Sequence, residues 1–306
     1  MRILFINTTE PRCGVHQYGV NLASVLQTDQ QLEVLYRTPS SLDEFLWMAS
    51  EIKPDVVLYN WQAGVGGWMV NVPLPRMTFK QVLVYHDLDA RFDDFDAVLF
   101  SDPTMKQTGN WHPIGRPLNL PHNLLLPEPD DSILTFGVNG FIGAWANIAF
   151  EEIARHYEHF RIRLHLPYAV YGDAAGNMAN AAENACRAMM GPNMSLEVSH
   201  EFMEWPKLLA WLSRNHINCY MRYPGMHWRG VSSAPDAALC CNRPIAVNSC
   251  NAFRHLHDCD PSILVEHRPL TAILQSGLSP LVKKRQQWHP ETVSCEVRLV
   301  LESIVK

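Results

Sequence analysis

The chain opens on a pattern that it repeats, and the repetition limits the fold more than any other feature. The apolar run Arg2-Ile3-Leu4-Phe5-Ile6-Asn7 empties into a turn, Thr8 to Val15, that carries Gly14, and a helical run follows from His16 to Leu26. The same order returns as a strand over Ser132–Phe136, a glycine-bearing turn over Gly137–Gly143 and a helix over Ala144–His159. A buried strand leading through such a turn into a helix start gathers backbone N–H groups and a partial positive charge, where phosphates bind well. Each occurrence heads a series. Further strands are expected at Leu32–Tyr36, Val56–Tyr59, Gln81–Tyr85 and Ala97–Phe100, then at Arg161–Leu166, Ser195–Val198, Ile217–Met221 and Pro244–Asn248. Near-continuous apolar strands alternating with helices predict parallel sheets covered on both faces, so the fold class is α/β.

The helices between them are read at Val15–Leu26, at Ser41–Glu51 with Ser41 and Glu44 as a capping box, at Trp205–Asn215 and at Ser233–Cys241. Ala174–Arg187 reads as an alanine-rich helix and Pro290–Val305 as a terminal one. Prolines 113, 117, 121, 127 and 129 break the rhythm and read as an interdomain linker. The expected division is an N-terminal domain over 1–120, a C-terminal domain over 121–289 and a terminal helix over 290–306. Two such domains in tandem would leave a cleft between the carboxyl ends of their sheets, where ligands of these folds bind.

Composition removes several classes. With 306 residues, 47% of them hydrophobic and 18% charged, the chain is long and apolar enough for two cores. A net charge of −6 argues against a broad nucleic-acid footprint. No apolar run reaches the length of a membrane span, and Met1-Arg2 leads directly into a strand, so cytoplasmic residence is expected. The eight cysteines include no Cys-x-x-Cys and read as reduced, mostly buried thiols. The 14 histidines show no metal-ligand spacing.

Three segments carry chemistry. Gly14, in Cys13-Gly14-Val15, either lets a sugar or phosphate approach the backbone or simply permits a tight turn. His86 ends a strand in Tyr85-His86-Asp87. A ring with a pKa near neutrality can donate to a sugar hydroxyl or share a developing charge there, or else it caps the sheet edge while Asp87 caps the next turn. The third runs from Tyr220 to Ser233, where a loop with Arg222, His227 and Arg229 meets the turn Gly230-Val231-Ser232-Ser233 at a helix start, with Asp236 in the first turn. Helix-start N–H groups beside an arginine suit a diphosphate. In the plainer reading Ser232 or Ser233 is an N-cap, Asp236 its capping-box partner, and the arginines are solvated. Trp61, Trp68 and Trp228 could stack on a sugar or simply pack, and Lys283-Lys284-Arg285 reads as a solvated face.

Together, Cys13-Gly14-Val15, Leu134-Thr135-Phe136-Gly137 and the run from Ser232-Ser233 through Asn242-Arg243-Pro244-Ile245-Ala246-Val247 resemble the two-domain GT-B glycosyltransferases, nearest the family-4 group. The resemblance implies two Rossmann-like domains facing a cleft, with the terminal helix returning to the first. It implies a nucleotide diphosphate sugar as donor, an acceptor the sequence does not identify, no strict need for a metal or other cofactor, and retention of configuration. It places His86 at the sugar, and with the loop reading above His86, Arg229 and Arg222 are assigned to catalysis. Gly14, Gly230, Ser232, Ser233, Asp236 and His227 fall to the donor, Asp236 at the ribose hydroxyls. The chain departs from the family in lacking its glutamate pair, the second of which falls at Ala237. It also lacks an Arg and a Lys after the strand, where Val138 to Gly143 hold no cation, so Arg222, Arg229 or Arg116 would substitute. Two other readings stay open: a catalytically silent GT-B-like scaffold, and a transferase acting on modified DNA bases.

Overall fold

The computed structural model describes residues 1–70, 77–87, 94–120, 124–141, 145–223, 225 and 230–306. Two compact units result: one of Met1–Asn119 and Gln286–Lys306 with Gly230 and Val231, the other of the remaining described residues from Leu120 to Arg285.

The first unit holds a sheet of β1 (Arg2–Ile6), β2 (Glu33–Arg37), β3 (Val56–Trp61), β4 (Lys80–Tyr85), β5 (Ala97–Phe100) and β6 (Trp111–Pro113) in the order β2-β1-β3-β4-β5-β6. Every pairing is parallel. Ile3, Leu4, Phe5, Val56, Val57 and Leu58 are fully buried, as strands covered on both faces require. β6 escaped the sequence reading because it is three residues long and ends in proline, which only an edge strand tolerates. Helix α1 (Gly14–Leu26) follows β1, and α2 (Leu42–Ile52) follows β2. The Ser41 hydroxyl accepts from the Glu44 N–H at 3.2 Å. The Glu44 carboxylate, however, takes the N–H and hydroxyl of Ser40, each at 2.7 Å, so the reciprocal half of the capping box lies one residue upstream.

The start of the proline-rich stretch is core rather than free linker: Ile114, Arg116 and Leu118 are 1–2% exposed within the first unit. Helix α9 (Pro290–Val305) belongs to this unit too. It buries Val293, Val297 and Leu301, an i, i+4, i+8 stripe, and Arg298 ties it to Asp29 at 2.9 Å.

The second unit holds β7 (Thr135–Asn139), β8 (Phe160–His165), β9 (Met194–Ser199), β10 (Ile217–Tyr220) and β11 (Ile245–Val247), all parallel, in the order β11-β10-β7-β8-β9. Around them lie α3 (Ala146–Ala154), α4 (Asn177–Ala188), α5 (Trp205–Ser213), α6 (Ala234–Cys240), α7 (Leu270–Gln275) and α8 (Val282–Gln287). β7 begins later than expected, which puts Gly137 inside the strand. The reason is a buried amide pair. Asn215 Nδ2 donates to Asn218 Oδ1 at 2.8 Å, and both atoms press on the Gly137 Cα where any Cβ would clash. α3 is shorter than expected because Tyr157 packs its ring on Phe136 at 5.1 Å and Phe160 already starts β8. Lys284 is not on a solvated face; its ammonium pairs with Asp258 at 2.7 Å with the residue 8% exposed. Seven of the cysteines are buried, and all eight are free thiols. Among the described residues no helix is long and apolar enough to cross a membrane.

The two sheets are thus Rossmann-like, and each has a point where the strand order reverses, between β1 and β3 in the first and between β7 and β10 in the second. Connections on either side of such a point diverge, leaving a crevice beyond the strand ends.

Candidate functional site

At the reversal point of the second sheet lies an open pocket. The end of β7 contributes Val138, Asn139 and Gly140, and the end of β10 contributes Tyr220, Met221 and Arg222. Trp145 and Ala146 bring the start of α3, Ser232 and Ala234 the start of α6, and Phe253 closes one wall. Two helix starts therefore face one cavity, with their N–H groups and positive dipole ends.

Arg222 is the cation among the described lining residues. Its guanidinium lies over the Trp145 ring at 4.8 Å and over Phe253 at 5.7 Å, and Nη2 donates to the Ser232 hydroxyl at 3.4 Å. Its backbone is clamped by Asn248, whose Oδ1 accepts the Arg222 N–H at 3.2 Å and whose Nδ2 donates to the Arg222 carbonyl at 2.5 Å. Burial pushes the guanidinium pKa down to about 10, which still leaves it charged at neutral pH. The solvated-arginine alternative therefore fails for Arg222. Among the described residues Asn139 Oδ1 is buried with no hydrogen-bond partner. An unmet buried acceptor is costly, and a ligand N–H or hydroxyl would satisfy it.

The other residues expected at the donor divide. Ser232 lines the pocket, and its hydroxyl accepts weakly from the Ala234 N–H at 3.4 Å. Ser233 precedes α6 without a side-chain cap bond, so the expected Ser233–Asp236 box does not form. Asp236 is 3% exposed inside the unit and is not among the described lining residues, because Pro235 and Asp236 face inward on this short helix. Arg229, His227 and Trp228 lie outside the described residues.

The first unit has its own polar cluster at the β1/β3 reversal. His86, just past β4, places Nε2 2.7 Å from Asn60 Oδ1, and Tyr18 meets the ring edge-on at 4.8 Å. Burial, and then the nearby Arg116 charge, push the His86 pKa down to about 3. The ring is therefore neutral, and the expectation of a near-neutral pKa and a shared positive charge is corrected. Asp87 accepts from Gln62 Nε2 at 3.0 Å. Arg116, a suggested substitute cation, is 1% exposed, lies over Tyr18 at 4.8 Å and donates to the Ser101 carbonyl. Gly230 presses on the His86 carbonyl oxygen so closely that a Cβ would clash. Gly14 sits in the first turn of α1 outside the left-handed region, so backbone conformation alone does not demand glycine. Trp61 stacks on Tyr85 at 5.7 Å and Trp68 on Phe45 at 5.6 Å, both as packing.

Two histidines set a pH dependence. His165, at the end of β8, is held down to about 4, chiefly by burial, as His86 is to about 3. Unfolded histidine binds its proton near pH 6.5. Between those values the unfolded chain binds more protons than the folded one, so stability rises with pH there. The contribution is fully present above about pH 6.5 and is lost on acidification towards pH 3–4. Denaturant unfolding should show stability falling from pH 7 to pH 4, with a shallower fall in His86→Gln.

No protein-family model and no curated protein matches the chain. Solved structures do. The chain is similar to AviGT4, a glycosyltransferase involved in avilamycin A biosynthesis, with a TM-score of 0.64 at 12% identity over 100% of this chain and 98% of that one. It is similar to Anabaena Alr3699/HepE in complex with UDP-glucose, with a TM-score of 0.59 at 13% identity over 99% and 100% of the two chains. It is also similar to the trehalose-6-phosphate synthase OtsA, with a TM-score of 0.53 at 9% identity over 100% and 97%. At such identities the likeness establishes the fold: two Rossmann-like units of the GT-B glycosyltransferase type.

Proposed function

We propose that this protein is a glycosyltransferase that moves a sugar from a nucleoside diphosphate sugar to an acceptor, the nucleotide being held in the pocket of the second unit. One observation carries the reading: a charged, half-buried Arg222 stands at a sheet reversal point between two helix starts. A leaving diphosphate needs its developing charge neutralised, and preorganised Arg and N–H donors can do this in a partly desolvated site. Trp145, Phe141 and Phe253 offer aromatic walls, and Asn139 Oδ1 an acceptor for a ribose hydroxyl or base N–H. Asn139 takes the role that Asp236 was expected to fill. The first unit, with His86, takes the acceptor, and Arg229 and His227 remain donor-side candidates on sequence grounds. HepE bound to UDP-glucose supports the class of donor.

The test is a thermal-shift series with UDP, GDP, ADP and UDP-glucose. A ligand at a hundred times its Kd adds about 2.7 kcal/mol to folded-state stability, so at least one should raise Tm by several degrees. No shift with any of them would overturn the proposal. The missing glutamates, with Ala237 at the second position, favour a silent scaffold as second reading. That reading predicts nucleotide binding without turnover of any nucleotide sugar.

A further inference from the structure

The amide ladder behind His86 leaves a single arrangement of protons. Asn7 is oriented by two obligatory partners: its Oδ1 accepts the Thr8 backbone N–H at 2.9 Å, and its Nδ2 donates to the His16 carbonyl at 3.0 Å. Asn60 must then turn its amide nitrogen to Asn7 Oδ1, at 2.7 Å, and the same nitrogen donates to the Val15 carbonyl at 2.8 Å. Neither asparagine can flip without setting like groups against each other. Asn7 is 1% exposed and Asn60 0%, so no water relieves a mismatch. What Asn60 offers His86 is therefore its carbonyl oxygen, 2.7 Å from Nε2.

We infer that Asn60, locked by Asn7, is a positioning residue that fixes His86 as the Nε2–H tautomer, leaving Nδ1 as the acceptor at which a substrate hydroxyl donates. The tautomer follows from the ladder alone; the role towards a hydroxyl rests on the glycosyltransferase reading above. The neutral ring agrees with the burial around His86 and the charge of Arg116. His86 in this state receives a hydrogen bond and does not act as a cation. An orienting partner of this kind governs reactivity by selecting which ring nitrogen carries the proton.

The measurement is a long-range 1H–15N correlation spectrum of the full chain with 15N-labelled histidine, free of nucleotide, with His86 identified by its loss in His86→Gln. At pH 7 the wild type should show Nε2 protonated and Nδ1 unprotonated. The opposite tautomer, or two protonated nitrogens, would overturn the inference. In Asn60→Asp a carboxylate replaces the amide, and the ring should take up its second proton at a higher pH than in the wild type. In Asn60→Leu the spectrum should become a mixture of tautomers; an unchanged spectrum in a folded Asn60→Leu also overturns the inference. If turnover is found, Asn60→Asp should lower kcat by about tenfold with the donor KM unchanged. A wild-type spectrum as expected from a protein that binds no nucleoside diphosphate would sink the proposed function and leave the positioning role standing.

Discussion

Replacing Arg222 with alanine should weaken nucleoside diphosphate binding by about tenfold or more. A charge-assisted hydrogen bond contributes about 1.5–3 kcal/mol, and about 1.4 kcal/mol is a factor of ten. Loss of the long-range attraction between guanidinium and phosphate adds to this in a pocket walled by Trp145 and Phe253. Calorimetric titration reads the effect. Arg222→Lys keeps a charge and loses the planar fork, so it should fall between the wild type and alanine. Alanine also removes a side chain stacked on two aromatic rings, so the Tm of the free variant must be measured alongside. Unchanged affinity in Arg222→Ala and in the Arg222→Ala/Arg229→Ala double variant would exclude both arginines from the diphosphate site.

Gly19→Ala should destabilise the first unit by about 2 kcal/mol or more, although alanine is the better helix former by about 1 kcal/mol. Gly19 lies in α1 directly over the Asn7–Asn60 contact, and a Cβ there would stand 2.6 Å from Asn7 Oδ1 and 2.5 Å from Asn60 Nδ2. Neither amide can retreat without breaking a buried hydrogen bond. The expected fall in Tm is about 4–8 °C for a unit of this size. The same variant should also disturb the His86 ring spectrum, since the ladder that fixes it has been forced apart. A Tm equal to or above that of the wild type would show that the helix can shift away from the sheet, and that the ladder is not rigid.

Much of the scaffold was legible in the chain. Apolar runs such as Ile3–Ile6 and Val56–Tyr59 had to be buried strands, because no other arrangement hides both faces of so short a run. The reversal of strand order, and with it the crevice at β7 and β10, was not legible, since strand order depends on which way each crossover turns. Arg222 and Arg116 both stand near prolines in loops after strands. Only packing separates them: Arg116 is 1% exposed inside the first unit, while Arg222 lines the pocket. Asp236, read at the donor from its position in a helix first turn, is 3% exposed on this short helix, a burial that the sequence position does not reveal. A usable signal was missed in the asparagines that end strands or follow them, Asn7, Asn60 and Asn139. Asparagine is depleted in strands, so its presence at the sheet's carboxyl edge marks a place where an amide is needed.

The chain by itself determined the α/β class, the two sheets, and the strand ends at which His86 and Arg222 stand, because these follow from local apolar periodicity and turn chemistry. The tertiary structure decided which side chains those ends share. Asn7, Asn60 and His86 are far apart in sequence and meet only where β1, β3 and β4 end together, and the tautomer they dictate exists because burial denies the two asparagines water.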